Sequence, residues 1–350
     1  MHSVKFIQEA VCLFNEGNEI AQIFNAPKIT EIKKRGIFFS GSKNSTTFED
    51  SGNEVYYQRY APWALSRLSS PILKSPIYPY GEGYKFKNGG KGVVIYVIDS
   101  GINIDHQEFG GRASFGPNKA FDSKGNLVED GYDYIGHGTA AASMVGGATF
   151  GVAKRAKIIS YKVIGRGVRF TTDRAVKALS EITELINNAN DGRVASIVTC
   201  SYLSFKRSPL WDSAVSAFSN LGYIYVVSAG NNNSDACDKS PISSLSTIAV
   251  GSTNASDGYQ STTNFGKCVD LYAPGVNVYA ASRLNNYGTV LSTGTSYSAP
   301  LVAGICALIL GDEPCLNITQ LKSRILSISA KGVLKYTLKN SVNILAQALC

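Results

Sequence analysis

Apolar and polar positions change their rhythm partway along this chain of 350 residues. From about residue 60, short apolar runs alternate with stretches of helical spacing. Val93 to Ile98 is nearly continuous in its apolar character, as a strand buried on both faces should be. Similar runs are Ile158 to Val163, Ala195 to Cys200, Tyr223 to Val227 and Thr247 to Val250. Between and after them, helical patterns are expected over residues 137–147, 172–188, 209–221, 296–310 and 318–328. Strand and helix in alternation predict an α/β fold, with a mostly parallel central sheet and helices on both faces. In such sheets, active residues gather at the C-terminal ends of the strands.

The first 60 residues read differently. Residues 1–40 carry mixed helical and strand patterning and end in Lys33-Lys34-Arg35 and Ile37-Phe38-Phe39. Residues 41–58 are rich in Ser, Thr, Asn and Gly and read as a linker. The start, Met1-His2-Ser3-Val4-Lys5, leads into no uninterrupted apolar segment, so no ordinary signal peptide is visible. The longest apolar stretch near the other end, Leu301 to Leu310, is too short to span a bilayer.

Composition narrows the class. With 44% hydrophobic and 17% charged residues the chain is a globular one, long enough to bury a full core without metals or disulfides. The net charge of +8 is scattered and forms no long run, which reads as a solvated basic surface and not as a nucleic-acid footprint. The seven cysteines, at 12, 200, 237, 268, 306, 315 and 350, contain no Cys-x-x-Cys pair, which argues against a zinc ribbon or a thioredoxin-like site. Cys200 and Cys306 sit in apolar elements and read as buried thiols. Sequons at Asn44, Asn232, Asn254 and Asn317 matter only if the chain enters the secretory pathway.

Four short segments carry candidate chemistry, and each has a plain structural reading beside it. Asp99 closes the strand Val93–Ile98 before a glycine turn, where it could hold a partner side chain or simply cap the turn. His137 lies between two glycines in Gly136-His137-Gly138-Thr139, which suits close approach to an imidazole, although a lone histidine is commonly structural. Ser296 precedes the apolar helix in Gly294-Thr295-Ser296-Tyr297-Ser298-Ala299-Pro300. There it could cap the helix, or act as a nucleophile where free N–H groups favour negative charge. Asn231 ends Ser228-Ala229-Gly230-Asn231, as a polar loop residue or as an amide donor to an oxyanion.

Together they are more specific than apart. The order Asp, His, Ser is that of subtilisin and differs from chymotrypsin and the α/β-hydrolases. Val97-Ile98-Asp99-Ser100-Gly101-Ile102, Gly136-His137-Gly138-Thr139, Ser228-Ala229-Gly230-Asn231 and Gly294-Thr295-Ser296-Tyr297-Ser298-Ala299-Pro300 resemble the four motifs of the subtilase family. Ala61-Pro62-Trp63-Ala64-Leu65 and Phe150-Gly151-Val152-Ala153-Lys154 place the resemblance in the proteinase K and vacuolar protease B (cerevisin) branch. It covers about residues 60–312.

That resemblance implies a three-layer subtilisin-like fold and a serine endopeptidase made as a zymogen. The catalytic residues would be Asp99, His137, Ser296 and the oxyanion donor Asn231. Peptide would lie between Ser201-Tyr202-Leu203 and Ser228-Ala229-Gly230, adding as an extended strand. By the same resemblance, Cys237 and Cys268 form a disulfide; Cys315 and Cys350 are a second candidate pair. No cofactor is required. Calcium would be an optional structural ion only, since Asp270 lies where some relatives bind it and one carboxylate is a thin ligand set. Residues 1–40 would be part of an inhibitory propeptide, 41–58 a linker holding the maturation region and 59–350 the catalytic domain. The enzyme is expected to act as a monomer on peptide or protein substrates, with its own propeptide as inhibitor and no nucleic-acid partner or membrane span. A secreted or vacuolar location is expected.

The chain departs from the family pattern at Ala140, where a second histidine is usual, and at Tyr297, where methionine is. Tyr202 and Leu203 stand where the substrate wall usually reads Leu-Gly. Those departures motivate an alternative, a weakly active or inactive relative with a binding or wall-associated structural role. A different serine hydrolase is disfavoured, since Ser296 lies in no Gly-x-Ser-x-Gly elbow.

Overall fold

The computed structural model describes residues 55–74, 78–117, 130–165, 170–336 and 338–348. The expected propeptide segment 1–40, most of the expected linker, Cys12 and Cys350 lie outside them.

In chain order the elements begin with strand β1 (Tyr56–Arg59), helix α1 (Trp63–Leu68), strands β2 (Gly83–Phe86), β3 (Val93–Asp99) and β4 (Ala113–Phe115) and helix α2 (His137–Gly146). Strand β5 (Lys157–Lys162), helix α3 (Thr172–Asn187), strand β6 (Ala195–Cys200), helix α4 (Pro209–Asn220) and strands β7 (Ile224–Ser228), β8 (Ile248–Thr253) and β9 (Leu271–Pro274) follow. The chain continues through β10 (Val278–Ala281), β11 (Thr289–Ser292), helix α5 (Thr295–Asp312), helix α6 (Ile318–Ile328), β12 (Ala330–Lys331) and β13 (Ile344–Leu345). The five expected strands and five expected helices are all present, with boundaries within a few residues.

The main sheet has nine strands in the order β12-β13-β9-β8-β7-β6-β3-β5-β4, parallel except for β12 against β13. After β5 the chain crosses β3 and continues on its other side at β6. The winding therefore reverses beside β3, and the crevice beyond the strand ends there is where such sheets place ligands.

Alternation along β3 explains why the run from 93 to 98 has no polar position. Val93, Ile95 and Val97 pack into one core with Ala140, Met144 and Val145 of α2 and Leu301, Val302 and Ile305 of α5. Val94, Tyr96 and Ile98 face a second core with Val176, Leu179 and Ile182 of α3 and Trp211, Val215 and Phe218 of α4. Both faces are buried, so every side chain of the strand must be apolar or satisfied.

Helix α5 is longer than its apolar centre suggested. Its 18 residues are apolar enough to cross a membrane by length and composition, but 78% of it is buried inside the protein. Its contacts with β6, β7, β8 and β9 make it the central helix of the first core. Truncating Leu301 to Ala there should cost about 2–5 kcal/mol.

Strand β1 pairs antiparallel with β2. Residues 56–58, assigned to the linker by composition, thus belong to the folded unit. Pairing with a distant strand outweighs weak local propensity. Arg67, at the end of α1, is 1% exposed and holds Asp257 through two bonds of 2.7 and 3.0 Å.

Candidate active site

Asp99 is the last residue of β3 and is 1% exposed. Its Oδ1 accepts the Ser100 N–H at 2.7 Å, which pins the carboxylate at the strand end. His137 opens α2, and its Nδ1 lies 2.8 Å from Asp99 Oδ1 and 3.0 Å from Oδ2. The approach of helix to strand requires the glycine that follows. A Cβ at Gly138 would stand 2.1 Å from the Gly101 carbonyl oxygen and 3.1 Å from Asp99 Cβ.

Asp133 holds the start of that helix. Its Oδ1 accepts the Ser100 hydroxyl and the N–H groups of Ile135 and Gly136, and its Oδ2 accepts the N–H and hydroxyl of Thr139. Helix N-termini leave such donors without intrahelical partners, and a carboxylate there also suits the dipole. Its place four residues before the histidine was the only sequence signal for it.

Burial works against a charged imidazole at His137. The Asp99 carboxylate, by its charge and hydrogen bond, and Asp133 by its charge, outweigh that penalty and hold the His137 pKa above its ordinary value. The ring is flanked by Tyr202 and Tyr297, each with its centroid 5.6 Å away. Ala140 is fully buried in the first core.

Ser296 is the second residue of α5, half-buried at the helix start. The same turn is tied to the Asn231 loop. Thr295 N–H donates to Asn231 Oδ1 at 3.0 Å, and Gln260 Nε2 donates to the same oxygen at 3.2 Å. A backbone donor on that atom fixes which way the amide points, so Nδ2 is the group left to donate elsewhere. The Thr295 hydroxyl accepts the Gly230 N–H at 3.1 Å. Gln260 and Thr295 carry no signal of this role in the sequence, because the partners meet only after folding.

His137, Ser201, Tyr202, Leu203, Ser228, Gly230, Asn231 and Ser296 line one cleft. The fold therefore brings eight of the ten residues expected at the reacting centre and substrate wall to this cleft. Asp99 does not line it but is bound to His137 Nδ1, and the other residue off the cleft is Ala229. It is fully buried, its N–H donates to Val250 O at 2.8 Å and its carbonyl accepts Asn264 Nδ2 at 2.8 Å. Both of its backbone groups are thus engaged within the protein. A Cβ at Gly230 would lie 2.5 Å from Asn264 Nδ2 and 2.8 Å from Leu203 Cδ1, so Asn264 and Leu203 together take up the space beside that glycine.

Cys237 and Cys268 form the expected disulfide. It closes a loop with a sequence separation of 31, a length at which a cross-link restricts the unfolded chain by about 3–4 kcal/mol. Cys200 and Cys306 are buried thiols, as expected, and Cys315 is a free exposed one. Asp270 does not fit a calcium site. Its Oδ1 pairs with the Lys322 ammonium at 3.0 Å and its Oδ2 accepts the Ala249 N–H, so a lysine supplies the positive charge there. Among the described residues no cluster of three or more His, Cys, Asp or Glu is placed to hold a metal ion.

The model of the subtilase family, Peptidase S8, matches residues 90–343. The chain belongs to the subtilase family. It is 33% identical over 315 residues to a subtilisin-like serine protease of Davidiella tassiana, an alignment covering 84% of this chain and 59% of that one. It is 36% identical to subtilisin-like protease 1 of Pseudogymnoascus destructans, over 82% of this chain and 67% of that protein. A subtilisin-like serine protease of Rhodotorula mucilaginosa is 30% identical over 93% and 94% of the two chains. The chain thus spans about three-fifths of the length of the first relative and nearly all of the third. Among solved structures, a cold-adapted subtilisin-like serine proteinase superposes with a TM-score of 0.73 at 34% identity, covering 83% of this subtilase and 99% of that chain. The mostly parallel sheet with helices on both faces is the fold that this likeness implies.

Proposed function

We propose that this subtilase is a serine endopeptidase that cuts peptide bonds with Asp99, His137 and Ser296, with Asn231 as oxyanion donor. The observation that carries the reading is the shared cleft. An imidazole whose Nδ1 is bound by a buried carboxylate opens onto the same space as a serine at a helix start and an amide with its oxygen already engaged.

In this reading His137 Nε2 takes the proton from Ser296 as its oxygen attacks the peptide carbonyl, then returns a proton to the leaving amine. Asp99 selects the tautomer with hydrogen on Nδ1 and stabilises the imidazolium. The tetrahedral oxyanion is held by Asn231 Nδ2 and the Ser296 N–H, aided by the helix dipole. The chemistry calls for no cofactor. Substrate backbone runs between residues 201–203 and the Ser228 and Gly230 side of the cleft. Leu203 narrows the space beside Gly230, which favours small side chains at the residue preceding the cut.

The enzyme acts as a monomer and is made as a zymogen. Residues 1–40 serve as part of an inhibitory propeptide and 41–58 contain the maturation region. A secreted or vacuolar location is supported by the disulfide, which an oxidising compartment maintains.

The test is labelling with a fluorophosphonate probe alongside digestion of casein, in wild type and Ser296→Ala. Labelling and cleavage that both vanish in the variant are expected. A folded wild type that neither labels nor cleaves would instead favour an inactive relative with a binding role.

A further inference from the structure

Tyr202 follows β6 by two residues, where the family's substrate wall usually has leucine. Its side chain turns inward and is 4% exposed. The ring stacks on Phe170 at 4.9 Å and lies beside the imidazole of His137. Packing accounts for the ring but not for the hydroxyl, which lies 3.1 Å from Asp99 Oδ1 and 3.3 Å from His137 Nδ1.

Burial, and then the charge of Asp99, hold the Tyr202 pKa well above that of a free phenol, so the hydroxyl keeps its proton. A protonated phenol has one hydrogen to donate. His137 Nδ1 directs its own hydrogen at Asp99, which leaves Asp99 Oδ1 as the acceptor within reach. That carboxylate then receives the Ser100 N–H, the imidazole N–H and the phenol O–H.

We propose that Tyr202 is a positioning residue of the catalytic pair, its hydroxyl fixing the Asp99 carboxylate against His137 and drawing off part of the charge that holds the imidazolium. The proposal rests on the protease reading above for its catalytic meaning, but the contact can be tested without catalysis. With less carboxylate charge available, His137 gives up its proton at lower pH than Asp99 alone would allow. The hydroxyl thereby widens the range in which the base is neutral.

The groups facing this pair are Asp99 from β3, Asp133 ahead of α2, Cys200 and Tyr202 at the end of β6, and Tyr297 and Ser296 from α5. Burial pushes the Cys200 thiol up to about 12 and raises Tyr297 as well, so neither changes charge in the range where His137 titrates.

The experiment is an NMR titration of His137 in the Ser296→Ala protein, which cannot digest itself, with and without Tyr202→Phe. Phenylalanine keeps the ring packing and removes only the donor. The His137 pKa is expected to rise by about 0.5–1 unit, and the acid limb of kcat/KM in the Ser296 enzyme should move up with it while KM stays nearly constant. A second variant carries 3-fluorotyrosine at position 202, a stronger donor in the same place, and should shift the His137 pKa downward. Equal His137 titrations in all three proteins would overturn the proposal. If wild type fails to react with the fluorophosphonate, the protease reading falls by itself, and the titration still decides whether the hydroxyl tunes the pair.

Discussion

The Ser201 hydroxyl donates to the carbonyl oxygen of Ser296 at 3.2 Å. Pro300, four residues after Ser296 and inside α5, is the reason the carbonyl is available. Proline has no N–H, so the i to i+4 bond that would close on Ser296 cannot form. The wall of the cleft thus satisfies the helix at the turn that carries the proposed nucleophile. Replacing Ser201 with Ala should cost about 0.5–1.5 kcal/mol, the net scale of a hydrogen bond, here to a part-buried acceptor. Thermal unfolding of Ser201→Ala, measured in the Ser296→Ala background to prevent autolysis, checks this. The same substitution should cost less in a Pro300→Ala protein, where the helix supplies its own donor.

Asn231→Ala should lower kcat by about 100- to 1,000-fold with little change in KM, the size known for an oxyanion donor in subtilisin itself. In the proposed mechanism its amide would stabilise charge that exists only in the transition state. Because Asn231 Oδ1 also binds Thr295 N–H, the variant should lose some stability too. Asn231→Asp keeps the acceptor for Thr295 N–H, removes the donor and adds a negative charge beside the oxyanion, so it should recover stability while lowering kcat at least as far as Asn231→Ala does. Steady-state kinetics on a chromogenic peptide would decide, and a variant with full kcat would remove Asn231 from the chemistry.

The raised pKa of His137 sets two pH trends of opposite sign. Catalysis needs the neutral imidazole, so kcat/KM should climb through a pKa above the ordinary 6.5. Stability runs the other way. A folded pKa above the unfolded one means that the Asp99 pairing contributes fully below about 6.5. That contribution is lost as pH rises through the higher folded value. Thermal midpoints of Ser296→Ala across this window, compared with the kcat/KM profile, test both signs.

Leu203→Gly should open the space beside Gly230 and raise kcat/KM for peptides with a large residue before the cut by about 10-fold or more. A methylene or two in a pocket contributes about 1–3 kcal/mol to such discrimination. Small residues at that position should gain little. A positional-scanning peptide library would reveal an unchanged preference if Leu203 does not set it.

The apolar run Val93–Ile98, the helical spacing after His137 and the order of Asp99, His137 and Ser296 were enough to place the α/β fold, the family and the candidate site in the primary structure. Those features are local. A strand buried on both faces excludes polar residues, and a glycine must stand where helix meets strand, whatever surrounds them. The hold of Gln260 and Thr295 on Asn231, the Ser201 bond to the Ser296 carbonyl and the Tyr202 bond to Asp99 join residues 29 to 103 positions apart. No periodicity records such contacts. Ala229 and Asp270 make the same point in reverse: their neighbours in sequence suggested a wall and a metal ligand, and distant partners, Val250, Asn264 and Lys322, had already taken their polar groups. Burial makes an unpaired polar atom costly. Which partner satisfies each one is therefore decided only when the strands and helices pack.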